Sequence, residues 1–153
     1  MAGIKYAHTN LIAKDWRRLA RFYIEVFGCE VVGPERDLSG AWIETGTGIP
    51  GVRIHGAHLR LPGYEDGPTL EIFQYQPERL RDAEPVINQQ GYGHLAFLVE
   101  DVVAVVADIV AHGGSVLGEI VQREYPELGL LTFVYARDPE GNFIEIQNWR
   151  RGV

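Results

Sequence analysis

The chain has 153 residues, 46% of them hydrophobic, with a single cysteine and a formal net charge of −7. That is enough apolar residue for one compact domain with a real core, and too much for a disordered chain. The single cysteine excludes an intrachain disulfide, and the negative charge weighs against nucleic acid as a partner, since that binding usually needs a basic face. No apolar run approaches the roughly 20 residues that a membrane helix needs, and Met1 to Tyr6 holds no apolar signal core, so the expected location is the cytoplasm.

In chain order, His8 to Ile12 predicts a short strand. Asp15 follows as an N-cap, since its carboxylate can accept free N–H groups of a first helical turn. Trp16, Leu19, Ala20, Tyr23 and Phe27 then recur at helical spacing, with Phe22 also read as core. Gly28 stands where a helix end needs positive φ. Glu30–Gly33 and Ala41–Glu44 are expected as short strands. Arg53–Leu61 and Thr69–Tyr75 are expected as longer ones, joined by the loop Pro62–Pro68. Gln76–Gln90 reads as a linker with room for a short helix.

The second half repeats the first. His94 begins a strand, Asp101 is the N-cap, and Val102, Val105, Val106, Ile109 and Val110 follow at helical spacing up to Gly113-Gly114. Ser115–Gln122, Leu130–Ala136 and Asn142–Asn148 are expected strands, the last two joined by the turn sequence Asp138-Pro139-Glu140-Gly141-Asn142. An offset of 86 residues lays His8 on His94, Asp15 on Asp101 and Gly28 on Gly114. The expected class is therefore α+β: two tandem β-α-β-β-β modules (4–76 and 91–149, linked by 77–90) within one domain spanning 1–153.

Glu71 and Glu145 each lie in the last strand of a module, between Leu70 and Ile72 and between Ile144 and Ile146. Strand side chains alternate faces, so apolar neighbours covering one face turn the glutamate to the other. A lone strand glutamate is ordinarily just solvated, and a lone histidine is ordinarily a surface group. Two of each at repeat-equivalent places is a different matter, since a buried carboxylate needs a partner or a metal. His8, Glu71, His94 and Glu145 would supply two imidazoles and two carboxylates. That donor set suits one divalent ion (Zn, Ni, Co, Mn or Fe) with positions left for water or substrate.

Other residues share strand parity with these four and are expected to line the pocket: Tyr6, Asn10, Phe73, Tyr92, Phe143 and Gln147. His55 and His58 differ by three positions, so only one can point inward; His55 is taken as the pocket residue. Tyr135 is a further candidate. Cys29 is expected to be inert and Arg150-Arg151 to be a solvated tail.

These segments resemble the vicinal oxygen chelate superfamily, which includes glyoxalase I, methylmalonyl-CoA epimerase, extradiol dioxygenases, and fosfomycin- and bleomycin-resistance proteins. The residues that carry the resemblance are His8-Thr9-Asn10-Leu11 with Asp15 and Phe22-Tyr23; Leu70-Glu71-Ile72; Gly93-His94-Leu95-Ala96-Phe97 with Asp101; and Asp138 to Glu145. The resemblance implies paired modules forming a cupped mixed sheet around the metal, a small-molecule substrate and a homodimer. It also implies a metal-dependent lyase, isomerase or epimerase, with proton transfer next to a metal-bound carbonyl or enediolate. Glu145 is then the first candidate for the base and Glu71 the second.

An Fe(II) extradiol-type dioxygenase is the alternative enzyme, disfavoured because Glu71 fills a position that such enzymes leave to other residues. A non-catalytic drug- or metabolite-binding protein is the alternative outside enzymes, disfavoured by the complete ligand set. Leu11 and Ile12 stand where bacterial glyoxalase I carries a glutathione-binding arginine, which argues against glutathione. His8 to Glu71 spans 63 positions and His94 to Glu145 spans 51, so module one carries an extra arm fit to form a rim or lid.

Overall fold

The computed structural model describes residues 3–151. Met1 and Ala2 of the N-terminal segment considered above lie outside the described residues. The chain divides into two compact units, Met1–Arg81 and Asp82–Val153.

Unit one contains β1 (His8–Ile12), α1 (Trp16–Phe27), β2 (Glu30–Ser39), α2 (Ala41–Thr47), β3 (Arg53–Arg60) and β4 (Thr69–Gln76). Its four strands form one mixed sheet in the order β1-β4-β3-β2. β1 runs parallel to β4, and the other neighbours are antiparallel. Asp15 caps α1 as its sequence predicts, its Oδ1 accepting from the Arg18 amide at 3.1 Å. Gly28 ends the helix in the left-handed region at φ 68°, where a side chain would be strained. The apolar face of α1 (Trp16, Leu19, Ala20, Phe22, Tyr23 and Phe27) is buried. It covers the sheet face that carries Ala57, Leu59, Leu70 and Ile72, all at most 1% exposed. Each such large side chain contributes roughly 1.5–3 kcal/mol on burial.

Unit two contains β5 (His94–Leu98), α3 (Val102–Ala111), β6 (Ser115–Val116), β7 (Val121–Tyr125), β8 (Gly129–Arg137) and β9 (Phe143–Arg150). The order β5-β9-β8-β6 repeats the plan of unit one, with β7 also paired to β8. β5 is parallel to β9. Asp101 caps α3 through the Ala104 amide at 3.0 Å. Ile109 and Val102 of α3 are buried, as are Ile144, Ile146, Val134 and Ala136 of the sheet. Val110 is exposed.

Four expectations need correction. Residues 41–47 form helix α2 and not a strand; with Gly40 and Gly48 at its ends, the segment bends back so that Ile43 and Ile49 pack on Val52, Ile54 and Phe73. The strand begun at Glu30 continues to Ser39 past an irregularity between Val32 and Arg36. Residues 77–93 hold neither helix nor strand. The strand expected over 115–122 is two, β6 and β7, separated by an irregular stretch around Gly118. No helix among the described residues is long and apolar enough to cross a membrane.

Candidate metal centre

In unit one, Leu70 and Ile72 point to the helix and Glu71 points to the opposite face. The β1–β4 register places Asn10 beside Glu71, with His8 two residues earlier on the same face. His8 Nε2 lies 3.1 Å from Glu71 Oε2, and Asn10 Nδ2 donates to the same oxygen at 3.2 Å. The β3–β4 register sets His58 directly across from Glu71, and His58 Nε2 is 2.9 Å from Oε1. The Glu71 side chain is 11% exposed, so a carboxylate that would otherwise be costly to bury is held by three donors.

His58 is held in turn. Its Nδ1 is 3.2 Å from the Thr69 hydroxyl, and its ring meets those of His8 and Phe73 edge-on. Burial pushes its pKa below the usual histidine value. The opposing pull of Glu71 is outweighed, with Arg36 and His8 adding to the lowering. A neutral imidazole carries one N–H. With a carboxylate on the Nε2 side, that proton belongs on Nε2, and Nδ1 accepts from Thr69.

Unit two builds the same pair from equivalent strands. The β5–β9 register places Ala96 beside Glu145 and His94 two residues earlier. His94 Nε2 lies 2.9 Å from Glu145 Oε2. Tyr135 is the direct cross-strand neighbour of Glu145, and its ring stacks edge-on against His94 at 5.1 Å. Burial, and then the Glu145 charge, raise the Tyr135 pKa above the usual phenol value. The same sheet face continues through Phe133, Gln147 and Trp149. Phe133 touches Tyr135, and Trp149 Nε1 donates to Gln147 Oε1 at 2.9 Å.

The remaining expected pocket residues are placed as follows. Asn10 joins Glu71. Phe73 is buried at 8% in the small cluster under α2, where it forms a wall beside His58. Phe143 is buried beneath the Arg137 guanidinium. Tyr6 and Tyr92 lie outside the strands and are exposed; Tyr6 bonds to the Thr9 hydroxyl. His55 is the correction: it pairs across from Asp37 and Gln74, 3.7 Å from the Asp37 carboxylate, on the face away from Glu71. His58 takes the inward place. The three-residue spacing puts the two histidines on opposite faces, and the hairpin register decides that His58 is the one facing Glu71.

Two donors on one ion, at about 2.1 Å each and roughly at right angles, stand about 3 Å apart. Both His–Glu pairs have that spacing, and imidazole nitrogen with carboxylate oxygen suits a first-row divalent ion. The donor atoms of each pair thus suit such an ion in kind and spacing. His8 and His58 approach different oxygens of Glu71 with ring centroids 6.0 Å apart. Among the described residues, no group of three or more His, Cys, Asp or Glu is arranged to hold a metal.

The fold and these paired strands define a two-module α+β protein with a repeated His–Glu motif. A family profile described as the Glyoxalase/Bleomycin resistance protein/Dioxygenase superfamily matches residues 5–146, and the chain belongs to that superfamily. A glyoxalase family protein from Bacillus cereus superposes with a TM-score of 0.84 at 22% identity, over 99% of each chain. A glyoxalase family protein from Enterococcus faecalis gives 0.60 at 24% identity, over 96% of this chain and 99% of that one. TioX from Micromonospora sp. ML1 gives 0.55 at 16% identity, over 95% and 99%. At these identities the likeness establishes the fold. No curated protein matches the chain.

Proposed function

We propose that this chain is a divalent-metal-dependent enzyme of the glyoxalase and epimerase type. It would move a proton at a carbon next to a carbonyl, with His8, Glu71, His94 and Glu145 as the metal ligands. One observation carries the reading: the same His–Glu pair is built twice, at 3.1 Å and 2.9 Å, from equivalent parallel strands. Each module offers two donors, so the ion draws on both modules, contributed by one chain or by two copies in a homodimer.

A divalent ion held there supplies charge stabilisation to the oxyanion that develops as the proton leaves. The chain's own residues do the rest. Glu145 takes the proton from the substrate carbon and returns it, because its carboxylate is held by fewer protein donors than that of Glu71. Tyr135, Phe133 and Gln147, on the same sheet face, contact the small-molecule substrate. Phe73, packed in the cluster under α2, bounds the sheet face beside His58 and Glu71.

The test is metal analysis of purified protein alongside Glu71→Ala and His94→Ala. Metal content should fall in both. Unchanged content in both removes the site as drawn. Deuterium exchange at the carbon beside the carbonyl of 2-oxo acids and thioesters then reports proton transfer. Oxygen uptake with catechols and no exchange would instead place the chain among dioxygenases.

A further inference from the structure

The two His–Glu pairs share a backbone plan and differ in what surrounds the carboxylate. Registers make the comparison position by position. Beside Glu71 on β1 stands Asn10; beside Glu145 on β5 stands Ala96. Across from Glu71 on β3 stands His58; across from Glu145 on β8 stands Tyr135. Beside His8 on β4 stands Thr69; beside His94 on β9 stands Phe143. Every polar group that anchors Glu71 beyond its histidine partner is thus matched by an alanine or an aromatic residue around Glu145.

The bonds follow the residues. Both oxygens of Glu71 are engaged, Oε2 by His8 and Asn10 and Oε1 by His58. Among the described residues, His94 is the one histidine or base within ion-pair distance of Glu145, and it reaches a single oxygen. His58 is itself fixed by the Thr69 hydroxyl and by packing against Phe73. Its side chain is 19% exposed, so few alternative rotamers are open to it.

We propose that His58 is a positioning residue: through Nε2 it holds Oε1 of Glu71 so that Oε2 stays turned to the His8 side, and it makes Glu71 the fixed carboxylate of the pair while Glu145 keeps its freedom to move. The inference rests on the ligand reading above and adds to it a chain Thr69–His58–Glu71. A carboxylate pinned at one oxygen presents the other in a single direction. It pays no ordering entropy when an ion arrives. Partners that orient a metal ligand in this way typically change metal affinity 10- to 100-fold when removed.

The experiment measures zinc affinity by competition with a chromophoric chelator, together with thermal unfolding of each metal-free protein. Compared are the wild type, Glu71→Ala, His58→Ala, His58→Gln and Thr69→Val. The glutamine amide can donate from nearly the place of Nε2. We expect His58→Ala to lose about 10- to 100-fold in zinc affinity, His58→Gln to regain most of it, and Thr69→Val to lose a smaller part. Metal-free stability of His58→Gln and Thr69→Val should stay near wild type, which separates positioning from folding. If Glu71→Ala binds zinc as wild type does, the ligand reading fails and this inference with it. If Glu71→Ala is weakened while His58→Ala is not, or if glutamine restores nothing over alanine, the ligand reading stands and the role of His58 is overturned.

Discussion

Tyr135 and Glu145 lie directly across from each other on β8 and β9, and the phenol titrates above its usual value because of that neighbour and its own burial. Burial is the larger cause and the Glu145 charge the smaller. Both disfavour the phenolate, so the hydroxyl keeps its proton through and above neutral pH. On this face it stands as a neutral phenol. Tyr75 should ionise late as well, since burial and then the Glu71 charge raise it. An ultraviolet pH titration should show a late-ionising component that shrinks in Tyr135→Phe. Glu145→Gln should move it down only part of the way. A full return to the ordinary phenol value would mean that burial plays no part.

Gly56 is the point at which the sheet face beside Glu71 admits a large ring. It sits across from Phe73 on β4. A Cβ built there would stand 2.1 Å from the Ile72 carbonyl oxygen and 2.5 Å from Phe73 Cδ1. Neither neighbour can yield easily, because one is backbone in a sheet and the other is packed in the cluster under α2. Gly56→Ala should therefore cost about 1–3 kcal/mol by overpacking. It should also displace the Phe73 ring, whose centroid is 5.9 Å from that of His58. Chemical denaturation gives the first effect. A weaker zinc affinity than the stability loss alone explains would give the second.

Much of this was legible in the sequence because it rests on local rules. The caps Asp15 and Asp101, the stop at Gly28 and the alternation around Glu71 and Glu145 each follow from short-range geometry. The repeat then tied the two halves together. What escaped depends on register. Reading the first hairpin loop as Pro62–Pro68 centres it on Glu65 and sets Leu59 opposite Glu71. In the structure β3 ends at Arg60, which centres the loop half a residue earlier and sets His58 there. A slip of one residue turns a whole strand over, and so the choice between His55 and His58 was beyond parity alone. Helix α2 escaped for another reason. Ile43 of the helix and Ile49 just past it cover the cluster of Val52, Ile54 and Phe73, and a seven-residue helix has little propensity signal without that contact.

The turn before β9 sets where the strand of Glu145 begins, and Asp138 holds that turn. This carboxylate is 3% exposed. Oδ1 accepts from the amides of Glu140 and Asn142 at 2.9 Å each, and Oδ2 accepts from Asn142 Nδ2 at 2.8 Å. Removing it takes the acceptor away from these three donors, at a cost of about 1–3 kcal/mol. Asp138→Ala should lower the melting temperature by roughly 2–4 °C for each kcal/mol lost. Asp138→Asn should recover part of this, because one side-chain oxygen can still face the two amides. Equal melting temperatures for wild type and Asp138→Ala would mean that Pro139 and Gly141 shape the turn unaided.

Cys29 follows α1 and is 1% exposed, and burial pushes its thiol from an ordinary value near 8.5 up to about 12. The thiolate is the reactive form, so at pH 8 the native protein should resist thiol reagents and react only once unfolded. The same shift sets a direction for stability. Below about pH 8.5 the thiol is protonated in both states and contributes nothing to the pH dependence. Between that value and about 12 the unfolded chain loses the proton while the folded one keeps it. The folded state then binds more protons, and stability falls as pH rises. Cys29→Ala removes this contribution. Across the alkaline range its denaturation midpoint should therefore decline less steeply than that of the wild type, whatever the cavity costs at neutral pH. Parallel declines in the two proteins would show that Cys29 ionises alike in the folded and unfolded states.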